Sequence, residues 1–237
     1  MDRSGQVALI TGAGRGIGRA IAVSLARQHL LCVLTARRPD GLAETARLVE
    51  EVGGDAITIQ ADLVEKDVAE RIIAETVAHC GRLDILINNA GEFLVKPFAE
   101  TTLEEFDRLL AVNLRAPFAL AKSALPYLEA SPAGAIINIA SAAGKRFYPN
   151  QSVYCASKHG LLGLNKVLAA ELRARGIRVH AICPGGVATE MNHLQRPEEQ
   201  MAPEDIAAAV SYLLHLSERA TIDELPMRRI AADPIWG

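Results

Sequence analysis

Val7-Ala8-Leu9-Ile10-Thr11-Gly12-Ala13-Gly14-Arg15-Gly16-Ile17-Gly18 decides the fold. Five β-forming residues run into a glycine-rich turn, and an amphipathic stretch over Gly18–Gln28 follows. Glycines in such a turn let the chain bend tightly and bring its backbone close to a pyrophosphate. The N-terminus of the next helix adds free N–H groups and the positive end of its dipole. The spacing is T-G-x-x-x-G-x-G rather than G-x-G-x-x-G. In the first strand–turn–helix unit of a chain, it marks a nucleotide site in preference to a plain βα turn.

The same alternation continues outward from that unit. Apolar runs occur at Val7–Thr11, Leu31–Ala36, Ala56–Gln60, Ile85–Asn88, Ala135–Ile139 and Val179–Cys183, with a short last one around Glu224–Arg228. Being continuously apolar, they predict strands buried on both faces. Helical stretches are expected at Gly41–Val52, Val64–Cys80, Thr102–Leu128, Ser152–Arg175 and Pro203–Leu216. Strands alternating with helices predict an α/β fold with a doubly wound parallel sheet. Residues 1–237 show no linker, repeat or low-complexity segment, so one Rossmann-type domain is expected. The polar stretch Thr189–Met201 lacks periodicity and reads as a substrate flap, at about residues 189–202.

Chemistry enters at Tyr154-Cys155-Ala156-Ser157-Lys158, which follows Ser141. Residues four apart on a helix share a face, and a lysine ammonium there favours the phenolate and lowers the tyrosine pKa. Alone this spacing is common; downstream of a glycine loop it points to proton transfer beside a nucleotide.

The second strand ends Thr35-Ala36-Arg37-Arg38. A site for NAD would place a carboxylate near here for the ribose 2′-hydroxyl. Two arginines match a 2′-phosphate instead, with Arg15 in reach of the same group, although solvated surface charges would read the same. Asp40 is the alternative ribose ligand, placed past Pro39 in a turn. The balance favours NADP(H) over NAD.

Composition narrows the partners. The chain has 237 residues, a net charge of −3 and 50% apolar residues, which gives no reason to expect nucleic acid or an anionic membrane. It has no apolar run of about 18 residues and no signal-peptide pattern, so a cytoplasmic protein is expected. Its 4 cysteines and 6 histidines lack ligand spacing, so reduced thiols and no catalytic metal are expected. Cys155 and His159 read as packing residues beside the tyrosine and lysine.

With both motifs in place, the chain resembles the short-chain dehydrogenase/reductase family from about Gln6 to Ile230. The pieces are Thr11–Gly18, Asp62-Leu63, Asn88-Asn89-Ala90-Gly91, Asn113, Ser141, Tyr154-x-x-x-Lys158 and Pro184-Gly185-Gly186-Val187-Ala188-Thr189. The resemblance implies seven parallel strands, and a homo-oligomer, a dimer or a homotetramer, built on the two long helices that hold Asn113 and Tyr154. It implies Tyr154 as proton donor or acceptor, Lys158 as the group that lowers its pKa and binds the nicotinamide ribose, and Ser141 as the residue that steadies the substrate oxygen. Asn113 would hold a water linked to Lys158. For the cofactor it implies Gly12, Arg15, Gly16, Ile17 and Gly18 under the pyrophosphate, and Asp62 and Leu63 at the adenine. Asn89, Ala90 and Gly91 would lie beside the adenosine ribose, and Pro184, Gly185, Val187 and Thr189 at the carboxamide.

The implied reaction is hydride transfer between NADP(H) and a small carbonyl/alcohol pair. Within the family the chain is similar to the 3-oxoacyl-thioester reductases, but Ser217–Arg228 lacks their V-D-G-G ending and is more like that of broad-range carbonyl and hydroxy-acid reductases. Glu129 stands where carrier-protein reductases tend to offer basic residues. A 3-oxoacyl-[acyl-carrier-protein] reductase is one alternative, and a nucleotide-binding regulator without turnover is another. Phe147 and Tyr148 are expected to shape the pocket wall; Lys145 and Arg146 read as solvated loop charges, with attraction of an acidic substrate as the alternative; Met191, Leu194 and Met201 are expected to pack within the flap.

Overall fold

The computed structural model describes residues 3–191, 197–217 and 219–230. Its strands are β1 (Val7–Thr11), β2 (Leu31–Ala36), β3 (Ala56–Gln60), β4 (Ile85–Asn88), β5 (Ala135–Ile139), β6 (Arg178–Pro184) and β7 (Glu224–Met227). All pair in parallel in the order β3-β2-β1-β4-β5-β6-β7. The helices are α1 (Gly16–Ala26), α2 (Pro39–Glu51), α3 (Val68–Cys80), α4 (Leu103–Leu110), α5 (Ala116–Ala130), α6 (Ser152–Leu172) and α7 (Pro203–His215).

β1, β4 and β5 are buried along their whole length, which accounts for their lack of polar alternation. Ala8 and Ile10 of β1 pack with Ile21, Leu25, Val210 and Leu213 of α1 and α7. Val7 and Leu9 face the other way, onto Ile72, Leu120 and Leu128 of α3 and α5. Helices therefore cover both faces, and each fully buried leucine or isoleucine contributes roughly 1.5–3 kcal/mol. The strand order reverses between β1 and β4, which opens a crevice at the carboxyl ends of those strands.

The strands match their expected bounds closely, while the helix boundaries differ: α1 begins and ends two residues before the expected Gly18–Gln28, and α7 ends one residue before Leu216. Pro39 takes the first position of α2, so Asp40 lies in the first helical turn and not in a loop. α3 starts at Val68 instead of Val64, because the Asp62 carboxylate accepts from Val64 N at 3.2 Å and Asp67 adopts φ +55°. The stretch expected as one helix over Thr102–Leu128 is two helices joined by a π-helical turn over Ala111–Arg115. Pro117 has no N–H to give the Asn113 carbonyl, which loosens the ladder at that point. α6 ends at Leu172 and a short 3-10 turn over Arg173–Arg175 runs to Gly176, at φ +75°.

Candidate active site

The carboxyl ends of β1, β2, β4, β5 and β6 open on a cleft of about 800 Å³. It brings together Gly12, Arg15, Gly16, Ile17, Arg37, Arg38, Asp62, Leu63, Asn89, Ala90, Gly91, Ser141, Tyr154, Lys158, Pro184, Gly185, Val187 and Thr189. Gly18 and Asn113 stand behind the wall, as structural neighbours of the cleft. A Cβ on Gly18 would come within 2.4 Å of the Gly12 carbonyl oxygen, and one on Gly12 (φ +64°) within 2.9 Å of Ala90 Cα. A glycine turn this tight, ahead of the free N-terminus of α1, is shaped for a pyrophosphate and fits a dinucleotide.

Thr11 and Asn89 hold that turn. The Thr11 hydroxyl accepts from the N–H groups of Asn89 (3.0 Å) and Ala90 (2.9 Å), and Asn89 Nδ2 donates to the carbonyls of Thr11 (2.8 Å) and Gly12 (3.2 Å). The amide of Asn89 is thus spent on the loop, whereas the sequence placed it beside the ribose. Thr11 was missed; its place as the last residue of β1, one before the first glycine, was the available signal.

Beside the ends of β2 and β4, Arg37 pairs with Glu92 at 2.9 Å, and Arg108 makes a two-pronged pair with the same carboxylate at 2.8 and 3.0 Å. Arg108 also lies 3.7 Å from Asp62. Arg15 pairs with Glu190. Glu92, Arg108 and Glu190 carry no recognisable motif and were not anticipated.

At the other end, Lys158 sits one turn below Tyr154 on α6 and is buried. Its Nζ donates to the Ile139 carbonyl at 3.0 Å and lies 5.9 Å from the Tyr154 ring centroid. Burial pulls its pKa down to about 8. Burial also raises the Tyr154 phenol above its ordinary value, against the opposing pull of a hydrogen bond with Ser141. The expected depression of the Tyr154 pKa is thus not found: burial of the phenol is the larger effect and the shift is upward. Ser141 Oγ accepts from Ala143 N at 3.1 Å, which fixes its direction.

Asn113 lies in the π-helical turn. Its Oδ1 accepts from Glu92 N at 2.8 Å, and its Nδ2 donates to Glu92 O (2.9 Å) and Ser157 Oγ (3.1 Å). It therefore clamps the chain after β4 to α6. His159 Nδ1 bonds the Cys155 carbonyl at 2.9 Å and Cys155 is buried, as packing residues would be.

The wall differs from expectation at one aromatic. Phe147 is 87% exposed and lies outside the cleft, whereas Tyr148 lines it. Phe93 supplies the missing contact, edge-on to Tyr154 with centroids 4.8 Å apart. Lys145 pairs with Glu224, and Arg146 lines the cleft. Beyond β6 Val187 bridges Met201, with Ala188 N and Met201 O 2.9 Å apart; Leu194 lies outside the described residues.

The sequence model for short chain dehydrogenases matches residues 6–200. The chain belongs to that family. As a short-chain dehydrogenase/reductase it is an oxidoreductase of carbonyl and alcohol groups. An uncharacterized oxidoreductase of Thermotoga maritima is 37% identical over 98% of this chain and 87% of its own. A 3-oxoacyl-[acyl-carrier-protein] reductase of Synechocystis sp. is 34% identical over 88% of each chain. A metagenomic short-chain oxidoreductase in complex with NADP superposes with a TM-score of 0.87 and 37% identity, over 97% of this chain and 99% of that one. Among the described residues no helix of this short-chain dehydrogenase/reductase is long and apolar enough to cross a membrane.

Proposed function

We propose that the chain is an NADP(H)-dependent oxidoreductase that interconverts a small carbonyl compound and a secondary alcohol, with Tyr154 as proton donor and acceptor. One observation carries this reading: Ser141, Tyr154 and Lys158 line one end of a cleft that presents Arg15, Arg37 and Arg38 at the other. The NADP complex of the metagenomic relative is in keeping with it.

A bound nicotinamide dinucleotide supplies or accepts the hydride at the carbonyl carbon. The chain's own residues do the rest. The N-terminus of α1 and its glycine turn receive the pyrophosphate. Arg15, Arg37 and Arg38 select a 2′-phosphate, with Arg37 best placed to form a fork with it. Ser141 donates to the substrate oxygen and stabilises its developing charge. Tyr154 passes its phenolic proton to the same oxygen in reduction. Lys158 steadies the phenolate left behind, and Asn113 positions both through Ser157, whose hydroxyl bonds the Tyr154 carbonyl at 2.8 Å.

A regulator without turnover has no use for this proton-transfer set, and Glu129 is already paired with Arg175 at 2.6 Å, which supports free small carbonyls over a carrier protein as substrate. The same reading has a homo-oligomer in the cytoplasm. The groove of Phe118, Leu125, Leu168 and Leu172 on α5 and α6 offers it a contact face.

The test is initial-rate oxidation of NADPH and NADH over a panel of diketones, aldehydes, 3-oxo acids and an acetoacetyl thioester. NADPH-dependent turnover that vanishes in Tyr154→Phe is the expected result. NADPH binding without turnover on any carbonyl would favour the regulator.

A further inference from the structure

Glu92 follows the N-N-A-G turn after β4, where no motif assigns it a part. Asn113 grips its main chain on both sides, accepting from its N–H and donating to its carbonyl, so its side chain is held in a fixed place. From there the carboxylate reaches across the adenosine end of the cleft. On one side it meets Arg37 from the end of β2 at 2.9 Å, and on the other it takes the two-pronged bond from Arg108 of α4. Glu92, Arg37 and Asp62 all line the cleft, so the bridge spans it and does not lie outside.

We propose that Glu92 is a cofactor-selectivity residue: its carboxylate competes with the 2′-phosphate for Arg37 and so holds down the preference for NADP(H) over NAD(H). This rests on the reading of Arg37 as a 2′-phosphate ligand. Two anions cannot share the inner face of one guanidinium without mutual repulsion, so entry of a 2′-phosphate requires Arg37 to turn from Glu92. Arg108 makes that exchange feasible. Its two bonds to Glu92 remain when Arg37 leaves, so the carboxylate is never stranded without a partner. A dinucleotide with a free 2′-hydroxyl makes no such demand, and can meet the carboxylate as an acceptor. The acidic group usually found at the end of the second strand is here supplied from the end of the fourth.

Dissociation constants for NADPH and NADH, read from nicotinamide fluorescence, test this in the full chain and in Glu92→Gln, Glu92→Asp, Arg37→Ala and the Glu92→Gln/Arg37→Ala pair. Glu92→Gln keeps the shape and removes the charge. It should tighten NADPH about three- to fivefold and move NADH less than about twofold, the scale of one partly exposed ion pair. Glu92→Asp keeps the charge but withdraws it by one methylene, and should fall between. In the Arg37→Ala background the gain should vanish. An unchanged or lowered NADPH-to-NADH affinity ratio in Glu92→Gln, with Arg37→Ala still losing NADPH selectively, overturns the inference and leaves the 2′-phosphate reading intact. Equal loss of both cofactors in Arg37→Ala overturns both.

Discussion

The Lys158 ammonium donates to the carbonyl of Ile139 at 3.0 Å, and this bond helps tie the helix of Tyr154 to the strand that leads into Ser141. The ammonium is buried, and desolvation brings its pKa from 10.5 to about 8. The unfolded chain therefore binds the proton more tightly than the folded one between those values. The cost of burying the charge is complete below pH 8 and is relieved as pH rises toward 10.5. Relative to Lys158→Met, the native chain should gain up to about 3 kcal/mol of stability across that window. Urea denaturation of both proteins at pH 7, 8 and 9 checks the sign. Taking the difference removes the contribution of Cys32, whose buried thiol is pushed up to about 12 and titrates in the opposite sense. A gap that is constant with pH would mean that Lys158 is neutral, or solvated, in the fold.

Tyr154 is held by the Ser141 hydrogen bond and by the edge of Phe93. Neither contact touches the glycine turn or the arginines. Tyr154→Phe keeps the ring and removes only the hydroxyl, so the NADPH dissociation constant should change less than about twofold. Turnover should fall by roughly 10²–10⁴, the range for loss of a positioned proton donor. Paired fluorescence titration and steady-state kinetics separate the two. Retention of more than about a tenth of the activity would remove Tyr154 from the proton-transfer role.

Much of this was legible beforehand, for reasons that differ by element. The strands were readable because burial on both faces leaves an unbroken apolar run, as in Ile85–Asn88. The glycine turn and the Tyr154/Lys158 pair were readable because the chemistry they suit permits few other residues at that spacing. The π-helical turn at Asn113 was hidden inside a continuous amphipathic pattern, although Pro117 marked the break. Glu92, Arg108 and Glu190 were hidden more deeply. A surface charge gives no sign in sequence of its partner, and here the partners lie 16 to 175 positions apart. The direction of the Tyr154 shift was misjudged for a related reason, since spacing reports the nearby cation but not the missing water.

Gly18 packs directly behind the glycine turn of the cleft. An added Cβ would meet the Gly12 carbonyl oxygen at 2.4 Å and Asn89 Nδ2 at 2.5 Å. The carbonyl is backbone, and the amide is fastened to Thr11 and Gly12, so neither can swing aside. Gly18→Ala should therefore cost about 1–3 kcal/mol and push the turn out of shape. Thermal melts with and without NADPH should show a lower Tm and little or no rise on adding cofactor. A native melt with an undiminished cofactor shift would show that the turn has slack the close distances do not suggest.

Asp84 is the buried carboxylate that anchors the end of the sheet opposite the cleft. It accepts from Val7 N at 2.9 Å, from Arg82 at 2.6 and 2.8 Å, and from Ser131 Oγ at 2.5 Å, so it joins the start of β1 to the turn before β5. Burial alone would raise its pKa. The bonds from Arg82, Ser131 and the Val7 amide outweigh that and hold it below the ordinary aspartate value. Its contribution is present above the unfolded carboxylate pKa and is lost as pH falls below it. Asp84→Asn cannot accept at both atoms, because its amide turns a donor toward Arg82 or Ser131. It should cost about 2–4 kcal/mol at pH 7, and the gap to the native chain should narrow below pH 4. Because the cleft lies at the far ends of the strands, the cofactor dissociation constants of the folded variant should stay within about twofold of native. A gap that persisted unchanged to pH 3 would show that the geometry of the turn, and not the carboxylate charge, carries the stabilisation.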